Sequence, residues 1–407
     1  MFRRVSFFRF FVFLNLAFAS GCAVLTPINP PKLSDPAPRE PERLRMGETG
    51  SDETVVLTPR WHDYTGVMHI HTSYSHDANG HFEHVIEVGQ QQHLDFVAVT
   101  EHNTLAPLRE GRGGRYGDLL VLIGMEISAQ GGHYVTLNVK SEVDRENLTT
   151  QEVIDAVAAQ GGLGFIALPY FKKRPWTDWS VRGFTGMEIY NVAHDTFDEN
   201  FARLAFWTLS ASPVSLYLSL VDRPYDPLRT WDELIRRHGR VVGIGSVDAH
   251  EVHAFGVRFA PYEAMFAMAR THVIATESPL TPEVVYGALN SGHAYVSLDM
   301  VADTRGFLFS VEDDGKQAGI MGDELVWKPG MELAVYAPAQ ATAGLYRDGE
   351  LVEEKEGTNL RWTADRPGVY RVELERGKKP WIYSNPIYLR VGAENASGPS
   401  PGAGSGW

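Results

Sequence analysis

The 407-residue sequence contains one cysteine, Cys22. No disulfide can close within the chain, no cysteine-rich zinc cluster can form, and past position 22 there is no thiol to act as a nucleophile. Basic residues are also in short supply. There are 37 Lys and Arg against 51 Asp and Glu, which leaves a net charge of −14. Nucleic-acid binding needs a basic face, so none is expected. Long hydrophobic runs are scarce as well. The apolar stretch at residues 10–19 is too short to span a bilayer. The stretch at residues 201–221 is interrupted by Arg203 and Pro213. It reads as two helical pieces covering a sheet, with a membrane-facing role for Phe206, Trp207 and Leu209 as the alternative. No Ser-His-Asp arrangement is apparent, so serine-nucleophile chemistry is not expected.

What is present begins with a secretory pattern. A basic start (Arg3, Arg4), the apolar stretch and Ala19-Ser20-Gly21-Cys22 resemble a bacterial lipobox, although Ala19 stands where Leu is usual. The expectation is a lipoprotein-type signal at residues 1–22, lipidation of Cys22, and tethering to the cell envelope, periplasmic or at the outer membrane. Residues 23–60, rich in Pro and charge, read as a linker. Residues 393–407, rich in Gly, Ser and Pro, read as a disordered tail.

The chemistry-bearing residues sit at the ends of short apolar runs. An apolar stretch leads into His69-Ile70-His71, with Asp77 following. On a strand, positions i and i+2 share a face, so the two imidazoles are expected to project together. The run at 95–100 ends in Glu101-His102, that at 121–125 in Glu126, and that at 241–247 in Asp248-Ala249-His250; His133 opens another run at 134–139. A buried strand seldom ends in an unpaired charge, because burial without a partner is costly. Several strands ending this way point to a shared cation. Helical segments between them, at 82–91, from 150, at 231–238 and at 282–290, suggest a parallel sheet or barrel with chemistry at the C-terminal strand ends.

The ordered set His69-x-His71, Asp77, Glu101-His102, Glu126, His133 and Asp248-x-His250 resembles the PHP (polymerase and histidinol phosphatase) superfamily, nearest its carbaryl-hydrolase-like branch. The resemblance covers roughly residues 61–301 and a second stretch near the C-terminus. It implies an α/β fold, a distorted (β/α)7 TIM-like barrel over residues 61–302. By the same resemblance His69, His71, Glu126 and Asp248 would hold one divalent metal, and Asp77, His102 and His250 a second. Glu126 and His133 would contribute to a third. The family's His in Ala-His-Pro is replaced here by Leu168, in Ala167-Leu168-Pro169. The third site is therefore one ligand short, with His194 a conceivable substitute or simply a surface histidine. Two, or at most three, ions of Zn, Mn or Fe are expected.

Metals acidify bound water and neutralise developing charge, so hydrolysis is the natural reaction. A phosphoester is the leading substrate class; a carbamate, ester or amide is the alternative. A degenerate, non-catalytic surface binding module is the third reading, favoured by Leu168. Glu101 or His250 would move protons to the leaving group. Lys172, Lys173 and Arg174 offer an anchor for an anionic small molecule, or form a solvated loop. Trp176, Trp179 and Phe184 either line that site or pack beneath their own loop. Past residue 302 short alternating strands and the turn Asp348-Gly349 suggest a small immunoglobulin-like β-sandwich at 303–392.

Overall fold

The computed structural model describes residues 61–192, 218–254 and 257–392. The signal pattern with Cys22, the linker to residue 60, His194, most of the 201–221 stretch and the C-terminal tail lie outside the described residues.

The fold is mixed α/β, built on one large sheet that runs through both the N-terminal and C-terminal parts. Strand β1 (His62–Ile70) pairs in parallel with β2 (Phe96–His102), and β2 in parallel with β4 (Leu119–Ala129). The short β3 (Gly114–Tyr116) pairs antiparallel with β4. β4 continues antiparallel to β5 (Gly132–Leu137), and β5 to β6 (Leu163–Ala167). Parallel pairing resumes through β7 (Gly186–Asn191) to β8 (Val242–Ser246). After β8 the chain returns to β1: Val247 N–H donates to Met68 O at 3.1 Å, and His71 N–H to Ala249 O at 2.9 Å. The strand interiors are buried on both faces, as their near-continuous Val, Ile and Leu content requires.

Helix α1 (Phe82–Gln91) buries Phe82, Val85 and Val88 on one stripe. A single turn, α2 (Ala106–Arg109), follows β2. Helix α3 (Thr150–Ala158) opens with a capping box in which Thr149 and Glu152 satisfy each other's backbone N–H groups. Helix α4 (Tyr225–His238) begins earlier than the expected Trp231. Pro227 reads as a break in sequence, but it falls in the first turn, where a missing N–H costs nothing.

Beyond β8 lie the hairpin β9 (Val252–Ala254) and β10 (Val257–Phe259), helix α5 (Tyr262–Met268), β11 (Arg270–Ala275), helix α6 (Pro282–Ser291) and β12 (Ala294–Ser297). α6 has Thr281 as its cap, Pro282 in its first turn and left-handed Gly292 at its end. β11 lies antiparallel to β1 and β12.

The C-terminal part comprises β13 (Leu308–Asp313), β14 (Lys316–Ile320), β15 (Glu324–Val326), β16 (Glu332–Arg347), β17 (Glu350–Thr363), β18 (Gly368–Arg376), β19 (Lys379–Ser384) and β20 (Ile387–Arg390). It joins the rest where β12 pairs antiparallel with β19. Two strands expected separately, at 332–336 and 344–347, are one long β16. A register shift between Tyr336 and Ala341, around Pro338, accommodates the proline without ending the strand. Asp348 and Gly349 both have positive φ and form the expected two-residue hairpin turn between β16 and β17.

Candidate metal centre

His69 and His71 do converge, but not by strand alternation. β1 shifts register against β2 between Met68 and Ile70, and His69 has φ 65°. The same left-handed backbone occurs at Leu168 (φ 48°) and Asp248 (φ 49°), each just past its strand. Non-glycine residues seldom adopt this conformation, and such residues gather at functional sites. Here the kinks turn the side chains of His69 and Asp248 toward each other, with His69 Nε2 3.4 Å from Asp248 Oδ1.

One imidazole and one carboxylate, His71 and Glu126, complete a group of four with that pair. His71 Nε2 is 3.2 Å from Asp248 Oδ1 and 3.4 Å from Glu126 Oε2, and His69 Nε2 is 3.5 Å from Glu126 Oε1. Donor atoms sharing one tetrahedral ion at about 2.1 Å stand roughly 3.4 Å apart, so these separations suit a common ion. Beside them, His102 Nε2 is 3.3 Å from Asp77 Oδ2 and 3.5 Å from His250 Nε2, and His250 Nε2 is 3.6 Å from Asp77 Oδ1. Glu126 reaches toward both groups, since His102 Nδ1 lies 2.7 Å from its Oε2 and His133 Nδ1 2.7 Å from its Oε1. All eight residues expected as ligands thus meet around Glu126.

The polar atoms at the centre are buried and crowd one another at 2.7–3.5 Å without completing hydrogen-bond geometry. They are His69 Nε2, His71 Nε2, His102 Nδ1, both Glu126 oxygens, His133 Nδ1 and Asp248 Oδ1. Leaving a buried donor or acceptor unmade costs about 1–3 kcal/mol, more when it is charged. The donor set, imidazole and carboxylate with no thiolate, fits Zn, Mn or Fe.

Electrostatics agree with this inventory. Burial, reinforced by the nearby His250, pushes His71 down to about 3, so its imidazole is neutral and ready to coordinate. Burial opposes ionisation of Glu126 and Asp248, yet the surrounding imidazoles, His69 foremost, hold both carboxyls well below the usual range. Against its partial burial, Asp77 is drawn down to about 2 by His102 and His250.

Supporting contacts extend the site. Glu188 on β7 was not anticipated. Its Oε1 lies 2.6 Å from His69 Nδ1, while Oε2 accepts from Leu168 N–H at 2.8 Å and from Asn191 Nδ2 at 2.9 Å. The only sequence signal was one carboxylate inside an otherwise apolar strand. Glu101 is buried with its oxygens engaged elsewhere. It accepts from Thr72 Oγ1 at 2.6 Å, from Thr72 N–H at 3.1 Å and from Ser75 Oγ at 2.5 Å. Ser75 Oγ also meets His71 Nδ1 at 3.2 Å and accepts from His102 N–H at 3.0 Å. Glu101 therefore reaches the imidazoles through the 72–75 loop.

Lys172, Lys173 and Arg174 lie on the exposed loop after β6. Arg174 donates to Ala129 O at 2.7 Å, at the end of β4, and the Lys173 ammonium stands 5.8 Å from the Phe171 ring. Trp176 and Phe184 are packed inward, the first near Tyr134 and the second against His238. Trp179 is half-buried beside Tyr170.

A scan of protein-family models and a search of curated proteins gave no match. Among solved structures, the chain is similar to a two-domain protein from Bacteroides vulgatus containing a predicted PHP-like metal-dependent phosphoesterase. That likeness has 13% identity, a TM-score of 0.42, and covers 80% of this chain and 95% of that one. A candidate metal-dependent phosphoesterase from Bifidobacterium adolescentis is similar at 14% identity and TM-score 0.29, over 49% of this chain and 93% of that one. An amidohydrolase from Chromobacterium violaceum with bound sulfate is similar at 12% identity and TM-score 0.29, over 46% of this chain and 87% of that one. Scores this low lend no weight to a functional reading, which rests on the residues themselves.

Proposed function

We propose that this chain is a metal-dependent hydrolase of the PHP type, acting on a phosphoester and using two divalent ions. The observation that carries the proposal is the cluster of buried imidazole and carboxylate atoms crowded around Glu126 without completing hydrogen-bond geometry. A shared cation resolves that cost; a binding module without metal would have no reason to bear it. His69, His71, Glu126 and Asp248 would hold one ion, and Asp77, His102 and His250 the other. Glu126 and His133 are left for a third, for which Leu168 supplies no ligand.

When bound, such ions supply acidified water and positive charge for the oxygens of the displaced group. The chain's own residues do the rest. Glu188 orients His69, and Glu101 with Ser75 and Thr72 holds the His71 loop. Of the two expected proton carriers, His250 is already assigned as a ligand and the oxygens of Glu101 are occupied by Thr72 and Ser75, so Glu101 takes a positioning role. Asp77, half-exposed, marks the side open to substrate. Lys172 and Lys173 remain the proposed anchor for an anionic substrate.

The strand pairings support a distorted seven-stranded barrel of β1, β2, β4, β5, β6, β7 and β8, with residues 303–392 as an immunoglobulin-like sandwich. Anchoring to the cell envelope through lipid on Cys22 completes the proposal. Labelling the full chain with a fatty-acid probe, alongside Cys22→Ala, tests that part.

The central test is metal content by mass spectrometry of the purified chain with His69→Ala and Asp248→Ala. Two ions per chain are expected, with loss of at least the ion held by His69 and Asp248 in both variants. Substoichiometric metal unaffected by either substitution overturns the proposal. Leaving-group screens on phosphoesters and carbamates then separate the substrate classes.

A further inference from the structure

Strand β8 carries Asp248 and His250 just beyond its end, so whatever fixes β8 fixes two of the eight candidate ligands. One edge of β8 is paired with β7. Along a strand, alternate residues direct their backbone polar groups to the same edge. Gly243, Gly245, Val247 and Ala249 therefore face the other side.

At Val247 and Ala249 the partner is the main chain of β1. Val247 N–H donates to Met68 O at 3.1 Å, Ala249 N–H to His69 O at 3.3 Å, and Ala249 O accepts from His71 N–H at 2.9 Å. At Gly243 and Gly245 β1 is not available. Its first half, from His62 to Gly66, is paired with β11 instead. Two glycine peptides inside the protein would be left open, which buried backbone rarely tolerates.

Two side chains close the gap. Thr271 Oγ1 accepts from Gly245 N–H at 2.9 Å and donates to Gly245 O at 2.7 Å. Asn385 Oδ1 accepts from Gly243 N–H at 2.8 Å, and its Nδ2 donates to Gly243 O at 2.9 Å and to Ala294 O at 2.9 Å. A carboxamide presents one donor and one acceptor side by side, as a peptide group does. Both side chains are buried. Packing on the faces of β8 leaves no room for a side chain at either position: a Cβ on Gly245 would come within 2.5 Å of Val296 Cγ1, and one on Gly243 within 2.8 Å of Trp231 Cζ2.

We propose that Thr271 and Asn385 are positioning residues for the metal centre, their side chains standing in for a neighbouring strand along the open edge of β8. They fix the register at which Asp248 and His250 meet His69, His71 and His102. Asn385 lies between β19 and β20, so the C-terminal sheet becomes part of what shapes the centre. The metal half of this inference rests on the function proposed above; the strand-clasp half does not.

The test uses the full chain and the variants Thr271→Val, Thr271→Ser and Asn385→Ala. Amide hydrogen exchange is followed in peptides covering residues 241–250, and binding of Co2+ alone by its visible absorption. In Thr271→Val, exchange over 241–250 should rise about tenfold or more while the β16–β18 peptides stay protected, and Co2+ should bind about tenfold more weakly. Thr271→Ser keeps the hydroxyl and should restore both values. Asn385→Ala should change both readouts in the same direction; if it does not fold, the Thr271 pair decides. Unchanged exchange in a folded Thr271→Val chain, or failure of Thr271→Ser to rescue, overturns the clasp. Faster exchange with unchanged Co2+ affinity overturns its link to the metal centre. If the unsubstituted chain binds no Co2+, the function proposed above fails, and the exchange arm still decides the clasp.

Discussion

Glu188 Oε1 lies 2.6 Å from His69 Nδ1, with both side chains wholly buried. The contact orients the ring so that Nε2 faces Glu126 and Asp248, and with a metal on Nε2 it would hold the imidazole proton on Nδ1. A carboxylate behind a ligating histidine fixes the ring and raises its basicity, and losing it typically costs 10–100-fold in metal affinity. Glu188→Gln keeps the size and removes the charge. We expect it to weaken Co2+ or Mn2+ binding by roughly that factor. Equal affinity in the two proteins would remove Glu188 from the site.

Leu168 offers a gain-of-function test. It is buried, has φ 48°, and follows Ala167, which pairs directly across from His133. The backbone already holds position 168 as the strand ends elsewhere in the centre are held, and its N–H is fixed on Glu188 Oε2 at 2.8 Å. By the family resemblance, a ligand atom is what position 168 lacks. Leu168→His should add about one ion per chain to the metal content of the purified protein, measured by mass spectrometry. An unchanged stoichiometry would mean that the third position is not formed at all.

Most of the candidate ligands stood out in the sequence because they interrupt an apolar pattern near a strand end, where a charge without a partner is conspicuous. The reason given for the first pair was nonetheless incomplete. His69 and His71 converge through a kink at His69, and a left-handed backbone at a histidine leaves no local sequence signal. Glu188 and Asn385 were hidden for another reason: their partners His69 and Gly243 lie 119 and 142 positions away. A lone carboxylate in a strand, or an Asn before a Pro, acquires meaning only once the fold supplies that partner. Local devices fared better. The cap, which the sequence offers as Thr149 or Thr150 and the structure places at Thr149, the Pro282 start of α6 and the Asp348-Gly349 turn all act over a few residues.

Arg371 ties the C-terminal sheet to helix α4. Its Nε and Nη2 donate to the two oxygens of Asp232 at 2.9 and 2.8 Å, its Nη1 donates to Glu373 at 2.6 Å, and the guanidinium sits 4.4 Å from the Tyr346 ring. Removing one partner of a buried ion pair strands the other charge, at a cost of about 3–5 kcal/mol. Asp232→Ala leaves Arg371 with Glu373 alone, so it should lower unfolding stability toward the lower end of that range, read from the denaturant midpoint. Adding Arg371→Met should recover much of the loss, because the stranded charge is gone. Simple additivity of the two substitutions would show that the pair is not coupled.

His272 sits buried between β1, β12 and the turn that leads into the C-terminal strands. Its Nδ1 is 2.7 Å from Asp63 Oδ1 and 2.8 Å from Tyr295 OH, and its Nε2 is 3.2 Å from Thr304 Oγ1 and 3.8 Å from Asp299. Thr65 Oγ1 lies 3.4 Å from Nδ1, and Arg270 holds the far side of Asp299 at 2.8 Å. Burial would push the imidazole down, but Asp63 and Asp299 outweigh it and raise it to about 9. A pKa raised on folding means that the protonated form stabilises the native state. That contribution is full below the unfolded value of 6.5 and fades as pH rises through about 9. The shift corresponds to about 3 kcal/mol. The stability difference between the unsubstituted chain and His272→Asn should therefore be largest at pH 6 and should shrink by about that amount by pH 9.5. Parallel stability curves for the two proteins across that window would mean that His272 is neutral in the fold, and that Asp63 and Asp299 are satisfied by hydrogen bonds alone.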